Sequence, residues 1–219
     1  FRDEFPERMN TPFETIFPNV SKTPIVKFSF DSSVEVNINK LFSTFQNIEN
    51  YPNILPNNVI SINIIEHTTE RLPGIENYAP LICSLETDVC TVSQARKIDF
   101  IEKHVILVEE EVIEQGIIVK MLVEHTFEIP FKHTVVVKDG PAKGTTIVQT
   151  FEDNGPELTY VYNIFELRGS GVLAPFVYLA QNNIIHAANT AFYTFVDYSK
   201  NNLENIDDQS CVDPNCITE

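Results

Sequence analysis

From residue 105 onward the chain reads as a string of β-hairpins and then runs into a single long amphipathic helix. That succession limits the architecture more than any short motif does. "VILVEEEVIE" turns at Gln115-Gly116 into "IIVKMLVEHTFE", "FKHTVVVKD" turns through "GPAKG" into "TTIVQTFED", and "NGPE" leads into "LTYVYNIFEL". Turns at such short intervals join consecutive antiparallel strands. Ile117, Val119, Met121, Val123, His125 and Phe127 alternate onto one face of the second strand, with Lys120 and Glu124 on the other. This is the pattern of a sheet with one buried and one wetter face. In "VLAPFVYLAQNNIIHAANTAFYTFVDYSK", Val177, Ile184, Ala188, Ala191, Phe195 and Tyr198 form a stripe at helical spacing, widened by Leu179, Ile185, Phe192 and Val196. Pro175 suits the first turn. A curved antiparallel sheet cannot cover its own concave face, and one long helix laid across it can. The expected class is α+β.

The upstream half supplies the remaining parts. "PIVKFSFDSS" alternates as a strand, with Val26, Phe28 and Phe30 on one face. Ser32 or Ser33 is placed to cap a helix in which Val34, Ile38, Leu41, Phe42 and Phe45 fall at helical spacing. "QNIENYPNILPN" then interrupts it. Tyr51-Pro52 is expected to end that helix, because a residue before proline disfavours the α region. Pro56 ends the next turn and passes the chain to the strand "NVISINII". Residues 68–104 read as an insertion of unassigned strand-like or helical pieces. Residues 1–23 form an extension that lays Phe5, Phe13 and Phe17 on the domain or on a partner, and 201–219 an acidic tail. The domain proper spans 24–200.

Composition removes several functions. Lys and Arg number 15 against 31 Asp and Glu, a net charge of −16. A nucleic-acid groove or a basic membrane-binding surface needs the cations this chain lacks. No apolar run reaches the roughly 20 residues that span a bilayer. Walker, dinucleotide and G-x-S-x-G patterns are missing. The carboxylate run Glu109-Glu110-Glu111 reads as a solvated edge or rim, with calcium binding as a lesser alternative. His125 and His133 lie on neighbouring strands, His67 and His104 flank the insertion, and none has the spacing of a helical metal pair; no metal or cofactor is assigned. Cys83 with Cys90 and Cys211 with Cys216 form two local pairs, read as disulfides, free thiols or a metal site. The paired cysteines and a first residue other than Met lean towards an extracytoplasmic location.

"FSFDSSVEVNINKLFSTFQNIENYPNILPNNVISINIIE" resembles the opening of the START-like (SRPBCC) superfamily, with its strand, helix, Tyr-Pro corner and strand, and the segment from Gly171 to Lys200 is similar to the closing helix of that family. The superfamily includes polyketide-cyclase, coenzyme-Q-binding and birch-pollen-allergen groups. The resemblance covers about 24–67 and 105–200. It implies a helix-grip fold: a curved antiparallel sheet around the long C-terminal helix, two short helices after the first strand, and an apolar cavity between sheet and helix. The implied lining is Phe30, Leu41, Met121, Val123, Phe127, Tyr160, Tyr162, Ile164, Phe176, Leu179, Ile184, Ala188 and Phe192, with Tyr51 closing the mouth. Ala187, Ala188 and Ala191 leave room for a ligand. His125, His186, Asn189, Tyr160 and Tyr162 are the candidate polar groups. The expected function is binding or transport of a lipid, isoprenoid or quinone. The alternatives are an accessory subunit that meets a protein partner through 1–22 and 68–104, and an enzyme of the cyclase or aromatase kind.

Overall fold

The computed structural model describes residues 25–202 except 85, 86, 88, 115 and 170–180. Nine strands are described: β1 (Ile25–Val34), β2 (Val59–Tyr78), β3 (Leu81–Cys83), β4 (Cys90–Val92), β5 (Arg96–Glu114), β6 (Ile117–Ile129), β7 (Lys132–Asp139), β8 (Thr146–Asp153) and β9 (Thr159–Arg168). The described helices are α1 (Ile38–Gln46), α2 (Tyr51–Ile54) and α3 (Gln181–Asn201), with a 3-10 turn at Ile48–Asn50. Seven strands form one antiparallel sheet in the order β1-β9-β8-β7-β6-β5-β2. The meander β5 to β9 is the hairpin string of the sequence, and β1 and β2 close its two edges. The long α3 lies across the sheet, so the class is α+β and the architecture is a helix grip. Pro175, Phe176, Leu179, Cys211, Cys216 and the extension 1–23 lie outside the described residues, as does most of the acidic tail.

Aromatic side chains join the layers. Phe42 of α1 meets Phe127 of β6 and Phe151 of β8 edge-on, at ring separations of 5.9 and 5.4 Å. Phe45 stacks on Phe195 of α3 at 4.4 Å, and Tyr51 meets Phe195 edge-on at 4.9 Å. Offset and edge-to-face pairs at these separations are the preferred aromatic geometries. Polar contacts also hold α3: Asn50 Nδ2 donates to the Tyr198 hydroxyl at 2.8 Å, the Ser199 hydroxyl donates to Thr44 Oγ1 at 2.9 Å, and the Ser32 and Tyr193 hydroxyls lie 2.9 Å apart.

Two local expectations change. The helix does not begin at Ser32 or Ser33. β1 continues through both to Val34 because Val34 still pairs with Thr159 of β9. Thr159 Oγ1 then donates to the Val36 carbonyl at 2.7 Å, and Asn37 caps α1 by accepting from Asn39 N at 3.0 Å. Nor does Tyr51-Pro52 end α1, which stops at Gln46; the pair instead opens α2, with Pro52 in the first turn where its missing N–H costs nothing. Tyr51 takes helical angles (φ −56°, ψ −37°) despite the following proline. Its buried hydroxyl donates to the Phe45 carbonyl at 2.6 Å and fixes the corner. Pro56 follows α2 and precedes β2, as expected.

Residues 68–104 are mainly a continuation of β2 and β5. Their pairing runs out to Tyr78 and Arg96, whereas β6 pairs with β5 only from Glu102 onward, so the outer part is a two-stranded ribbon. Gly74 is required there, because a Cβ would lie 1.8 Å from the Ile98 carbonyl oxygen. The ribbon carries the β3–β4 hairpin, closed by a Cys83–Cys90 disulfide. The Asn154 side-chain amide donates to the Cys83 carbonyl, which ties this hairpin back to the β8–β9 turn.

Phe42→Ala removes a 2% exposed ring that bridges α1 and the sheet. It is expected to lower unfolding free energy by about 3–5 kcal/mol. Urea denaturation followed by circular dichroism measures this; a loss below about 1 kcal/mol would mean the cluster does not join the layers.

Candidate ligand site: an apolar hollow with a polar ladder

A hollow of about 660 Å³ opens between the concave face of the sheet and α3. Its walls include Val112 of β5, Val135 of β7, Ile147 of β8, Phe165 and Leu167 of β9, and Ile184, Ala187, Ala188, Ala191, Phe192 and Phe195 of α3. Leu55 and Tyr51 close the corner side. The space exists because α3 changes character along its length. Phe192, Phe195 and Val196 are buried in the core, whereas Ala187, Ala188 and Ala191 put only methyl groups towards the sheet.

Of the expected lining, Tyr51, Ile184, Ala188 and Phe192 face this space. Phe30 and Met121 pack against the core as half-buried residues, and Leu41, Val123 and Phe127 lie wholly inside it. Tyr160, Tyr162 and Ile164 are a correction. The inner face of β9 is Thr159, Val161, Asn163 and Phe165; Tyr162 and Ile164 are 40% and 39% exposed on the opposite face. Tyr160 falls on that same face by alternation; it is buried there and donates to Asp31 at 3.0 Å. Both faces of β9 carry apolar residues, and a strand read one residue out of phase turns every side chain over. Asn163 lies buried on the inner face, where an amide is costly without partners.

The fold supplies those partners. Five side chains from five adjacent strands link across the concave face. Glu110 Oε1 lies 3.1 Å from His125 Nε2, His125 Nδ1 lies 3.1 Å from His133 Nε2, and His133 Nδ1 lies 2.9 Å from Gln149 Oε1. Gln149 Nε2 lies 2.8 Å from Asn163 Oδ1. Gln149 sits directly opposite both His133 and Asn163 in register, so the last two links are cross-strand pairs. Glu110, His125, His133 and Gln149 all border the hollow. His133 also stacks on Phe127 at 4.3 Å. Burial, with His125 close by, lowers the His133 pKa to about 3 against the opposing effect of the Gln149 bond, so His133 is neutral. Burial, and then the nearby Glu110, raises the Tyr51 pKa well above its usual value.

Glu110 corrects the reading of the acidic run as a solvated edge. Its neighbours are the solvated members: Glu109 is exposed and Glu111 pairs with Lys120 at 2.6 Å. Alternation alone turns Glu110 inward. His186 is exposed on α3, whereas Asn189 is half-buried and bonds its own helix. Among the described residues no group of three or more His, Cys, Asp or Glu is placed to hold a metal, and no helix is long and apolar enough to cross a membrane.

No protein-family model and no curated protein matches the chain by sequence. Solved structures do match in shape. A START superfamily protein from Mycobacterium smegmatis superposes with a TM-score of 0.51 at 12% identity, over 78% of this chain and 97% of that one. The fold is START-like. The Zhui aromatase/cyclase from a Streptomyces species matches with a TM-score of 0.53 at 9% identity, over 80% and 94% of the two chains. A protein from Thermus thermophilus matches with a TM-score of 0.54 at 8% identity, over 80% and 96%. Identities this low carry the START-like fold across and nothing of the ligand.

The ladder makes stability depend on pH. The unfolded His133 takes a proton below about pH 6.5 and the folded one only near pH 3. The unfolded state therefore binds more protons between these limits, and stability falls as pH drops through that window. His133→Phe, which keeps a ring against Phe127, is expected to flatten the fall in melting temperature between pH 7 and pH 4 relative to wild type. An unchanged slope would show that His133 does not titrate this way.

Proposed function

We propose that the chain binds an apolar small molecule, of the lipid, isoprenoid or quinone kind, in the hollow beneath α3. One observation carries this reading: a space of about 660 Å³ walled by aliphatic and aromatic side chains stands where α3 offers three alanines to the sheet. Ligand sites are typically concave, mostly apolar, and fitted with a few placed polar groups. Aromatase/cyclase chemistry is the second reading, supported by the convergence of Glu110 and His125 on the same space. A general base needs a free lone pair within reach of the substrate proton. Both ring nitrogens of His125 are engaged within the ladder, which favours binding over catalysis by that residue. The accessory-subunit alternative depends on 1–22, outside the described residues, and on the ribbon.

Native mass spectrometry of the chain purified without detergent is expected to show an apolar adduct. Ala188→Phe, which fills the hollow from α3, is expected to lower uptake of the neutral dye Nile red at least about tenfold with circular dichroism unchanged. Equal uptake by the variant would exclude the hollow as the site.

A further inference from the structure

The apolar walls explain why an oily molecule enters but not which one. The polar ladder narrows the choice, because its hydrogens can be traced. Gln149 Nε2 donates to Asn163, so Gln149 Oε1 accepts from the Nδ1–H of His133. Neutral His133 must then accept at Nε2 from His125 Nδ1–H. A single proton remains between His125 Nε2 and Glu110 Oε1. Whether it rests on the imidazole or on Oε1, the second carboxyl oxygen, Oε2, has no hydrogen and acts as an acceptor. Turning both amides end for end keeps every heavy-atom separation and reverses the chain. Asn163 Nδ2, buried without a partner as placed, then donates to Gln149, and the relay ends with His125 Nε2–H on a Glu110 carboxylate. Oε2 is again an acceptor.

Of the other polar groups around the hollow, Asn58 and His186 are exposed and can donate, whereas the remaining three offer acceptors. Thr190 and Thr194 spend their hydroxyl hydrogens on the backbone carbonyls of His186 and Thr190, at 2.9 and 2.8 Å, and the Tyr51 hydroxyl donates to Phe45. Each keeps only acceptor lone pairs. Among the described residues no Lys or Arg borders the hollow, and the chain carries a net charge of −16. Beside Glu110 an anionic head would meet a carboxyl oxygen with no Lys or Arg to pair it, and burying an unpaired charge is costly.

We infer that the hollow selects an apolar molecule whose head group donates a hydrogen bond, an alcohol, phenol or protonated amine, with Glu110 Oε2 as the acceptor, and rejects fatty-acid-like anions. This rests on the binding reading above and adds the head-group class to it.

Four fluorescent ligands with one apolar body test it: 1-pyrenemethanol, 1-pyrenemethylamine, 1-methylpyrene and 1-pyrenecarboxylate, titrated into the full chain. The alcohol and the amine are expected to bind at least about tenfold more tightly than 1-methylpyrene, the effect of one hydrogen bond to a charged group. The carboxylate is expected to bind most weakly. Glu110→Leu should abolish the alcohol's advantage while leaving 1-methylpyrene within about twofold of wild type. Glu110→Gln, close in size, should reduce the amine's advantage more than the alcohol's, which covers the case in which the leucine variant does not fold. If 1-methylpyrene binds but the head group changes nothing, or the carboxylate binds best, the selection by Glu110 is overturned and the hollow stands. If none of the four binds, the binding reading itself fails. A gain confined to the amine identifies a cationic head, and a gain shared with the alcohol a neutral donor; both support the inference.

Discussion

The structure depends on an aromatic clasp that holds only one half of the long helix. Phe45 stacks on Phe195, Tyr51 and Phe42 brace the same corner, and Phe127 and Phe151 receive them from the sheet. These rings are buried in the core. Protein interiors close-pack, so a helix held by bulky rings at one end and faced with methyl groups at the other leaves unfilled volume under the small side chains. The hollow is thus a consequence of where α3 places phenylalanine and where it places alanine.

The same corner accounts for the Tyr-Pro step. A proline in the first turn of a short helix and a tyrosine whose hydroxyl reaches back to Phe45 hold α2 under α3. Tyr51 then serves two roles: its ring meets Phe195 and His125, and its outer surface borders the hollow. The clasp and the ligand site therefore share a residue, and the wall of the hollow at this corner belongs to the packed core.

The concave face combines an oily wall with a five-residue polar chain, and the two are compatible because the chain satisfies itself. A lone histidine or glutamine at these positions would be costly; linked from Glu110 to Asn163, each residue finds a partner, and of the ladder's buried nitrogens Asn163 Nδ2 lacks one as placed. Satisfied in this way, the ladder does not oppose the entry of an apolar body, and it still leaves a carboxyl oxygen at the edge of the space. Among the described residues, the disulfide hairpin and the outer ribbon contribute none of those that line the hollow.

Period-2 alternation on β5 to β8 and the stripe on α3 were enough to state an antiparallel sheet covered by one long helix, because those patterns arise from burying one face and are written locally. The face of β6 carrying Val123, His125 and Phe127 was legible for the same reason. On β9 both faces are apolar, so its phase was set by which face met the helix. The start of α1 was set by Val34 finding Thr159 far along the chain, a pairing that the capping potential of Ser33 does not reveal. Glu110 sits in an acidic run that reads as surface, and only the neighbouring strand, with His125 in reach, makes an inward carboxylate tolerable. Outside 68–104, the sequence by itself determined which main elements form and which sides of most of them are oily. The tertiary structure decided which polar residues meet inside, because a hydrogen bond between strands depends on register, and register is a property of the assembled sheet.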